Sequence, residues 1–389
     1  MSDVAHGVLA FMTLLGAAVL IAILAERVRV PAAVALVAIG AFFQIEPPFA
    51  FGDALLFVFL PPLIFEAAWN LDLDSLRRVA WRIVLLAVPG TLVTAAIVAG
   101  GVMLVGALPA APAMLFGAIV AATDPVAVVA AFRRVRVPAD LRTLVEGESL
   151  SNDGVALILF AFAVAVAGGE ATSVGADVLL GVLEVAGGVA IGAVAGLLCG
   201  AVLRATDATE YEVTVTIVLA YVAYLSATAL HCSGIFATAA GAIALRAVVR
   251  RIPGALSDAD DVDRVWAALA FMANAVVFLA TGLVIQPSRI VHEPALVIAA
   301  VVAVTLARAA LAFVAVRERR GRITVFLAGM RGALPLALAL SLPQTLPFRA
   351  SIIDATFAVV LVTIVVQGAP LEHVISRLYG GTARAGAKS

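Results

Sequence analysis

The stretch Glu146–Phe160 reads EGESLSNDGVALILF, in which three acidic residues lead directly into an apolar run. About twenty residues upstream, Thr123-Asp124-Pro125 interrupts a second apolar segment. Because an ionised carboxylate in hydrocarbon costs several kcal/mol, membrane proteins keep such groups mainly along substrate or proton pathways. Two neighbouring apolar segments with acids near their middles therefore indicate a cation site.

The composition of the whole chain agrees with a membrane setting. Of the 389 residues, 63% are hydrophobic and only 13% are charged. Soluble globular proteins contain about 45–50% apolar and about 25% charged residues. The chain is therefore predicted to be an all-α polytopic membrane protein. We interpret residues 7–25 as the first membrane span rather than a signal peptide, because the apolar run is long and lacks a basic region before it.

Apolar segments separated by charged, proline-containing or glycine-containing breaks predict thirteen membrane spans. The predicted spans are residues 7–25, 31–46, 53–69, 80–106, 112–132, 142–167, 176–203, 212–230, 233–249, 264–286, 294–316, 322–342 and 353–377.

The positions of the basic residues support this number of spans. Of the 25 Lys and Arg residues, Arg289 and Arg349 lie in loops after even-numbered spans, and Arg308 and Arg331 fall within spans. All the others lie in loops after odd-numbered spans or at the adjoining helix ends. The positive-inside rule then places the N-terminus outside and the C-terminus in the cytoplasm. We expect a multi-pass protein of the cell (inner) membrane.

The distribution of reactive residues excludes several classes of protein. The only lysine is Lys388 in the tail, so the chain lacks the Gly-Lys-Ser/Thr of a P-loop ATPase. Cys199 and Cys232 lie in apolar segments outside any Cys-x-x-Cys pattern, and the four histidines show no metal-ligand spacing. We therefore expect transport driven by an ion gradient, with no cofactor and no nucleotide or nucleic-acid partner.

The central acids are predicted to lie near the middle of the membrane. A helix rises about 1.5 Å per residue, which places Asp124 about 18 Å into span 5 and Asp153 about 16 Å into span 6, in a core about 30 Å thick. Arg308 and Arg331 fall at similar depths in spans 11 and 12. Since buried charges come in pairs, these two arginines leave one of the three acids, counting Glu148, unmatched. An unmatched carboxylate at this depth predicts a cation or proton site.

The spacing of polar residues in span 6 suggests which of them bind an ion. Residues four apart share a helix face, so Ser149 lies beside Asp153 and Glu148 beside Asn152. The Asp153 carboxylate and the Ser149 hydroxyl are hard oxygen ligands suited to an alkali cation. We interpret Glu148 and Asn152 as supporting residues, with Glu148 paired to one of the two buried arginines.

Two spans are predicted to be interrupted at mid-depth. Pro125 removes a backbone donor and frees carbonyl groups near Thr123 in span 5. Span 12 carries a second interruption at 329–335, which reads GMRGALP. Spans 5 and 12 approach the midplane from opposite sides, which is typical of inverted-repeat secondary transporters with the substrate site where the interrupted helices cross. Spans 4–6 and 11–13 are predicted to be the two repeats.

A ladder of glycines runs along span 7 at every fourth position, at Gly188, Gly192, Gly196 and Gly200. Small residues at this spacing let two helices approach closely. We expect the ladder to pack against another helix of the same chain rather than to form a dimer contact.

Several segments, taken in order, resemble one transporter family. They are FLPPLIFE at 59–66, TDPVAV at 123–128, EGESLSNDG at 146–154, the segment from FMAN to TGL at 271–283, Arg308, and MRGA at 330–333. The chain resembles the first family of monovalent cation/proton antiporters, the prokaryotic Na⁺/H⁺ antiporters of the NhaP type, which are related to animal sodium/proton exchangers. Each motif alone is weak, whereas the ordered set is specific and covers nearly the whole chain.

The resemblance implies a secondary antiporter that exchanges Na⁺, or Li⁺ or K⁺, for H⁺ by alternating access and serves pH homeostasis. It implies a homodimer with an interface domain and a mobile core domain that carries the ion. Accordingly, we assign residues 1–75 and 206–290 to the interface, 76–170 and 291–380 to the core, 171–205 to a linking helix, and 381–389 to a short cytoplasmic tail.

The resemblance also implies roles for single residues. Asp153 is expected to carry ion and proton alternately, aided by Asp124, Ser149, Glu148 and the Thr123 carbonyl. The two arginines of the family match Arg308 and Arg331. The pair Asn152-Asp153 implies electroneutral exchange of one cation for one proton.

Two other hypotheses follow from the same residues. A proton-coupled anion transporter or channel is disfavoured because buried acids outnumber buried bases. An intramembrane protease could use Ser149 or an Asp124/Asp153 dyad. Ser149 has no histidine at comparable depth, since His231 lies near the outer end of span 8. The aspartyl dyad stays open, although Asn152 and the buried arginines fit ion exchange better.

Overall fold

Helices make up all the regular structure that the computed structural model describes. It describes residues 3–28, 30, 32–43, 55–124, 128, 132, 135, 137–169, 174–204, 208–251, 259–284 and 293–385. In a bilayer, helices satisfy every backbone polar group within one segment, which is why long apolar stretches such as these fold as helices.

Fifteen α-helices lie in these ranges, and single π-helical turns at Leu55–Phe59 and Ile364–Gly368 precede two of them. The helices are α1 Asp3–Arg27, α2 Ala32–Phe43, α3 Leu60–Trp69, α4 Leu73–Leu104, α5 Ala110–Ala121, α6 Ala139–Ala167, α7 Val174–Leu203, α8 Thr209–Ala229, α9 Gly234–Arg251, α10 Ala259–Val284, α11 Pro294–Ala315, α12 Arg319–Leu327, α13 Ala333–Leu340, α14 Arg349–Thr363 and α15 Ala369–Ala385.

Each of the thirteen predicted spans contains one described helix or a broken pair of helices in the same order, although for span 112–132 the described helix covers only residues 112–121. Within the part of the chain that the structure describes, seven helical stretches are long and apolar enough to cross a bilayer, and shorter apolar helices cover 32–43, 57–69 and 110–121. Large apolar side chains such as Leu180 on α7, Val222 on α8 and Phe313 on α11 are exposed, as expected for lipid-facing surfaces. The predicted all-α polytopic fold is confirmed.

The chain divides into two compact units. The first contains residues 1–52, 75–170 and 275–389, and the second contains 53–74 and 171–274. Within the first unit, Ile83 and Leu86 of α4 pack with Leu144 of α6 and Ala315 of α11. The assignment of an interface role and an ion-carrying role to particular ranges stays a prediction.

The second unit is held together by close helix packing and by aromatic side chains. The four glycines of the predicted ladder on α7 face α9, and a Cβ on Gly192 would overlap the backbone of Ala237. The ladder therefore packs within the chain, as predicted. Phe65 stacks on Trp266 with their ring centroids 4.1 Å apart, and on Trp69 at 5.8 Å.

Two helices are interrupted inside the first unit, and the interruptions meet. Helix α5 ends at Ala121, and Ala122 continues in an extended conformation with φ −60° and ψ 143°. Residues 328–332 separate α12 from α13. The Asp124 N–H donates to the carbonyl oxygen of Met330 at 2.9 Å, which joins one interruption to the other. The predicted crossing is confirmed, while Pro125 lies outside the described residues.

Candidate functional site

Helix α6 presents the acid-rich run to the interior of the first unit. Pro138 precedes the first turn, and the 29 residues that follow contain no proline. Glu148, Ser149 and Asn152 are at most 3% exposed, although all three are polar. Polar groups at this depth are stable only when hydrogen bonds or charges satisfy them.

Asn152 fastens α6 to the extended segment that follows α5. Its amide nitrogen donates to Thr123 Oγ1 at 2.7 Å, and its amide oxygen accepts from the Thr123 N–H at 3.3 Å. Ser149 Oγ donates to the Thr123 carbonyl oxygen at 2.6 Å. The backbone groups of Thr123 need these partners because α5 ends two residues earlier. Thr123, Ser149 and Asn152 therefore lie together at the end of α5.

Glu148 forms the buried ion pair that the sequence predicted, and its partner is Arg308. The two terminal nitrogens of Arg308 donate to the two carboxylate oxygens of Glu148 at 3.0 and 3.1 Å. Arg308 Nε donates to the Val325 carbonyl at 2.9 Å, and Asn152 adds a third hydrogen bond to Glu148 at 3.0 Å. Bidentate arginine–carboxylate pairs are among the strongest charge-assisted hydrogen bonds.

Arg331 was expected to pair with an acidic side chain, but it donates to backbone carbonyl groups instead. Its Nε donates to the Val120 carbonyl at 2.7 Å and its Nη1 to the Gly329 carbonyl at 2.8 Å. These carbonyls lie at the end of α5 and in the interruption before α13, where backbone acceptors lack helical partners. Arg331 therefore stabilises the crossing itself, and the cation also suits the negative end of the α5 dipole.

Asp153 is the acid left without a described partner. Its Oδ1 is buried and makes no hydrogen bond to any residue that the structure describes. The negative charges of Asp124 and Glu148 both act on this carboxylate. A buried anionic oxygen in such surroundings is costly unless a cation or a proton neutralises it.

Asp124 lies where the two interruptions meet. Its side chain is partly buried and packs against Gly332, where an added Cβ would overlap the Asp124 carboxylate. The space that Asp124 occupies therefore requires glycine at this position. The sequence predicts that Gly332 lies in the interruption of span 12, but it carries no signal for the contact with Asp124.

The site borders a small polar cavity that sequence analysis did not anticipate. Its lining residues are Leu86, Gly90, Thr91, Thr94, Ala121, Thr123, Glu148, Asn152, Arg308, Leu311 and Arg331. The α4 threonines are isolated polar residues in an apolar helix, a weak signal that does not distinguish them from other threonines in membrane helices.

No cluster of three or more His, Cys, Asp and Glu side chains within the described ranges could hold a metal ion. The candidate ligands for an alkali ion are instead two carboxylates with hydroxyl and carbonyl oxygens.

Comparison with known proteins places this geometry in context. Residues 14–377 match the family model described as sodium/hydrogen exchanger, transmembrane. The chain is 32% identical to the Na⁺/H⁺ antiporter ApNhaP of Aphanothece halophytica, over 90% of this chain and 70% of that protein. It is 33% identical to the Na⁺/H⁺ antiporter NhaP of Pseudomonas aeruginosa, over 85% of this chain and 82% of that protein.

The fold is also similar to that of a solved structure. The sodium proton antiporter MjNhaP1 of Methanocaldococcus jannaschii at pH 8 superposes with a TM-score of 0.78. The match covers 95% of this chain and all of that chain, at 22% sequence identity.

Proposed function

Because the chain belongs to the transmembrane sodium/hydrogen exchanger family, we propose that it exchanges Na⁺ for H⁺ across a cell membrane, with both ions using the Asp153 carboxylate in turn. The observation that carries this proposal is the buried Asp153 oxygen with no hydrogen-bond partner among the described residues. Such an oxygen accepts either a proton or a cation, and each neutralises the same charge. Competition for one carboxylate, with alternating access to the two sides, is sufficient for obligatory exchange.

Nearby oxygen atoms are suited to the coordination of Na⁺. Ser149 directs its hydroxyl hydrogen to the Thr123 carbonyl, so its own lone pairs stay available to a cation. A carbonyl oxygen has two lone pairs, so Thr123 can accept this hydrogen bond and still contact an ion. Asp124 supplies a second carboxylate at the crossing. We assign Na⁺ coordination to Asp153, Asp124, Ser149 and the Thr123 carbonyl.

Three further residues hold these ligands in place rather than bind the ion. The Asn152 amide is engaged on both its atoms, by Thr123 and by Glu148. Both Glu148 oxygens are bonded to Arg308, so Glu148 contributes mainly its charge near Asp153. Arg331 fixes the two interruptions relative to each other through backbone carbonyls.

The proposed stoichiometry is one Na⁺ for one H⁺. Asn152 cannot ionise, Glu148 is ion-paired with Arg308 and Glu146 with Arg142, so we assign the exchange of a proton for an ion to Asp153, the remaining acid of the run. We further propose a homodimer in the inner membrane, with the N-terminus outside and a role in pH homeostasis. The positions of the basic residues support the orientation.

The protein is a transporter rather than an enzyme, and the comparisons give no support to an intramembrane protease. The site geometry points the same way. Ser149 donates its hydrogen to a backbone carbonyl, whereas a nucleophilic serine needs a neighbouring base to accept that hydrogen.

Purified protein in liposomes tests the proposed exchange. An acidic lumen quenches a pH-sensitive dye, and Na⁺, Li⁺, K⁺ or choline is then added outside. We expect Na⁺ to restore fluorescence while choline does not, and empty liposomes to respond to neither. No response to any of the three alkali cations, with protein inserted and folded, would contradict the proposal.

A further inference from the structure

The cavity beside the ion site is small and polar, and residues of four helices line it. Thr91 and Thr94 of α4 face it from one side, and Asn152, Arg308 and Arg331 face it from α6, α11 and the interruption before α13. Its volume is about 10 Å³, close to the space that a single water molecule needs. A water at such a position also requires two to four polar partners.

The hydrogen bonds around the cavity leave two groups available to such a ligand. The Thr94 hydroxyl donates to the Gly90 carbonyl at 2.8 Å. The Thr91 hydroxyl makes no hydrogen bond within the described part of the chain, although Thr91 is only 3% exposed. Arg331 uses Nε and Nη1 on carbonyl oxygens, which leaves its second terminal nitrogen as a donor. The Glu148 carboxylate, on the same cavity, adds an acceptor.

We propose that one water molecule binds in this cavity, between the Thr91 hydroxyl, Arg331 and the Glu148 carboxylate. This inference rests on the proposed exchange function and adds a part to its site. The water would hydrogen-bond to the Thr91 hydroxyl and to the remaining Arg331 donor, since both residues line the cavity. It also links α4 to Glu148 and to the crossing of the interrupted helices.

The chemistry of the cavity favours water over a small anion. Two arginines are on its wall, yet Glu148 is paired with one of them and presents a carboxylate to any ligand. An anion would be repelled by that carboxylate, whereas water can donate to it and accept from Arg331. Thr91 suits water as well, because a hydroxyl is both donor and acceptor.

Thr91 is accordingly a positioning residue for ion exchange. It acts through the water on Glu148, which holds Asn152, and Asn152 in turn holds the Thr123 segment that carries a proposed ion ligand. Loss of the Thr91 hydroxyl would weaken this series of hydrogen bonds without removing a ligand of the ion. We therefore expect the apparent affinity for Na⁺ to fall while the maximal exchange rate changes little.

The test compares Thr91→Val, which is nearly isosteric, with Thr91→Ser, which keeps the hydroxyl. In proteoliposomes, Thr91→Val should raise the Na⁺ concentration for half-maximal exchange by about fivefold, the ratio that corresponds to a hydrogen bond of about 1 kcal/mol. Thr91→Ser should stay near the wild type. Thr305→Val is the matched control, because Thr305 lies on α11 outside the cavity lining and its hydroxyl donates to its own helix at Val301.

Melting measurements in detergent and a high-resolution density map complete the test. With water bound, Thr91→Val should lower the melting temperature, and the wild-type map should show a peak within hydrogen-bond distance of Thr91 Oγ1. If the cavity is dry, valine should instead raise the melting temperature, and the inference is wrong. A wild-type Na⁺ concentration for half-maximal exchange in Thr91→Val would also overturn the inference.

If Thr91→Val does not fold, the wild-type density map alone tests the inference, which is wrong if no peak lies near Thr91 Oγ1. Failure of the wild-type protein to exchange Na⁺ would contradict the proposed function instead.

Discussion

Glu148 and Asp153 lie on one helix, yet their surroundings assign them different chemistry. Both carboxylate oxygens of Glu148 accept hydrogen bonds from the buried Arg308 guanidinium. Asp153 has a buried oxygen that no described residue contacts through a hydrogen bond. The charge of Glu148 is thus neutralised by a residue of the protein, Arg308, whereas the charge of Asp153 must be neutralised by a proton or cation from solution. This contrast makes Asp153 the exchange group and Glu148 part of its support.

The Glu148–Arg308 pair predicts a loss of stability when one partner is removed. Glu148→Gln leaves the Arg308 guanidinium, 1% exposed, without its counter-charge, which typically costs about 3–5 kcal/mol. We expect a lower melting temperature in detergent and a smaller effect on Na⁺ affinity. Asp140→Asn is the control, since its pair with Arg78 is about half exposed and exposed ion pairs contribute little to stability. An unchanged melting temperature with collapsed Na⁺ affinity would show that Glu148 contacts the ion directly.

Close packing at the crossing predicts that Gly332 cannot carry a side chain. In Gly332→Ala, the added methyl group would overlap the Asp124 carboxylate and displace it from the ion site. Since a shift of about 1 Å in an active group can cost about 100-fold in rate, we expect Na⁺-driven proton flux to fall by about that factor. Gly100→Ala is the control, because nothing lies within 4 Å of the position its Cβ would take. Wild-type flux in Gly332→Ala would show that the Asp124 position is not critical.

At the scale of helices, the site depends on two helix interruptions whose free backbone groups form hydrogen bonds with each other and with nearby side chains. The end of α5 and the segment before α13 share the Asp124–Met330 backbone hydrogen bond, and Arg331 donates to a carbonyl in each. Side chains of α6 supply the remaining partners of Thr123. Irregular backbone at membrane depth is stable only with such partners, and in this protein it brings carboxylate, hydroxyl and carbonyl oxygens to one place.

Helix packing in the second unit gives a separate prediction. A methyl group in Gly192→Ala would meet the backbone of Ala237 on α9, so the two helices would have to separate. Overpacking of this kind costs about 1–3 kcal/mol, and we expect a lower melting temperature. Gly175→Ala near the start of α7 meets nothing within 4 Å and should melt like the wild type. Equal melting temperatures for the two variants would contradict the packing described here.

Much of the fold could be predicted from the sequence because its signals are long and repeated. Apolar runs and the alternation of basic residues predicted the thirteen spans, and Pro125 in span 5 and the glycines around Arg331 in span 12 predicted the interruptions. The partner of Glu148 could not be chosen, because Arg308 and Arg331 lie at similar depth and depth does not determine which side chain faces α6. The contact of Gly332 with Asp124 and the Thr91 cavity depend on packing between distant segments, for which the sequence carries no periodic signal.

At the scale of the whole molecule, the proposed stoichiometry predicts no response to voltage. One Na⁺ exchanged for one H⁺ moves no net charge, so a potential set by a K⁺ gradient with valinomycin should not drive Na⁺ uptake into proteoliposomes without a pH gradient. An imposed pH gradient in the same vesicles should drive uptake and serves as the control. Na⁺ accumulation in response to potential alone would contradict electroneutral exchange, and Asp124 would then be the candidate for a second proton carrier.

The central role of Asp153 is tested most directly by Asp153→Asn in proteoliposomes, since an amide cannot alternate between a proton and a cation. The matched control is Asp177→Asn, because Asp177 lies on α7 in the second unit and also has a buried oxygen without a hydrogen-bond partner among the described residues. Both variants should insert and melt near the wild-type temperature. We predict that Na⁺-driven proton flux disappears in Asp153→Asn and persists in Asp177→Asn. Retained flux in folded Asp153→Asn would contradict the assignment of Asp153 as the group that carries both ions.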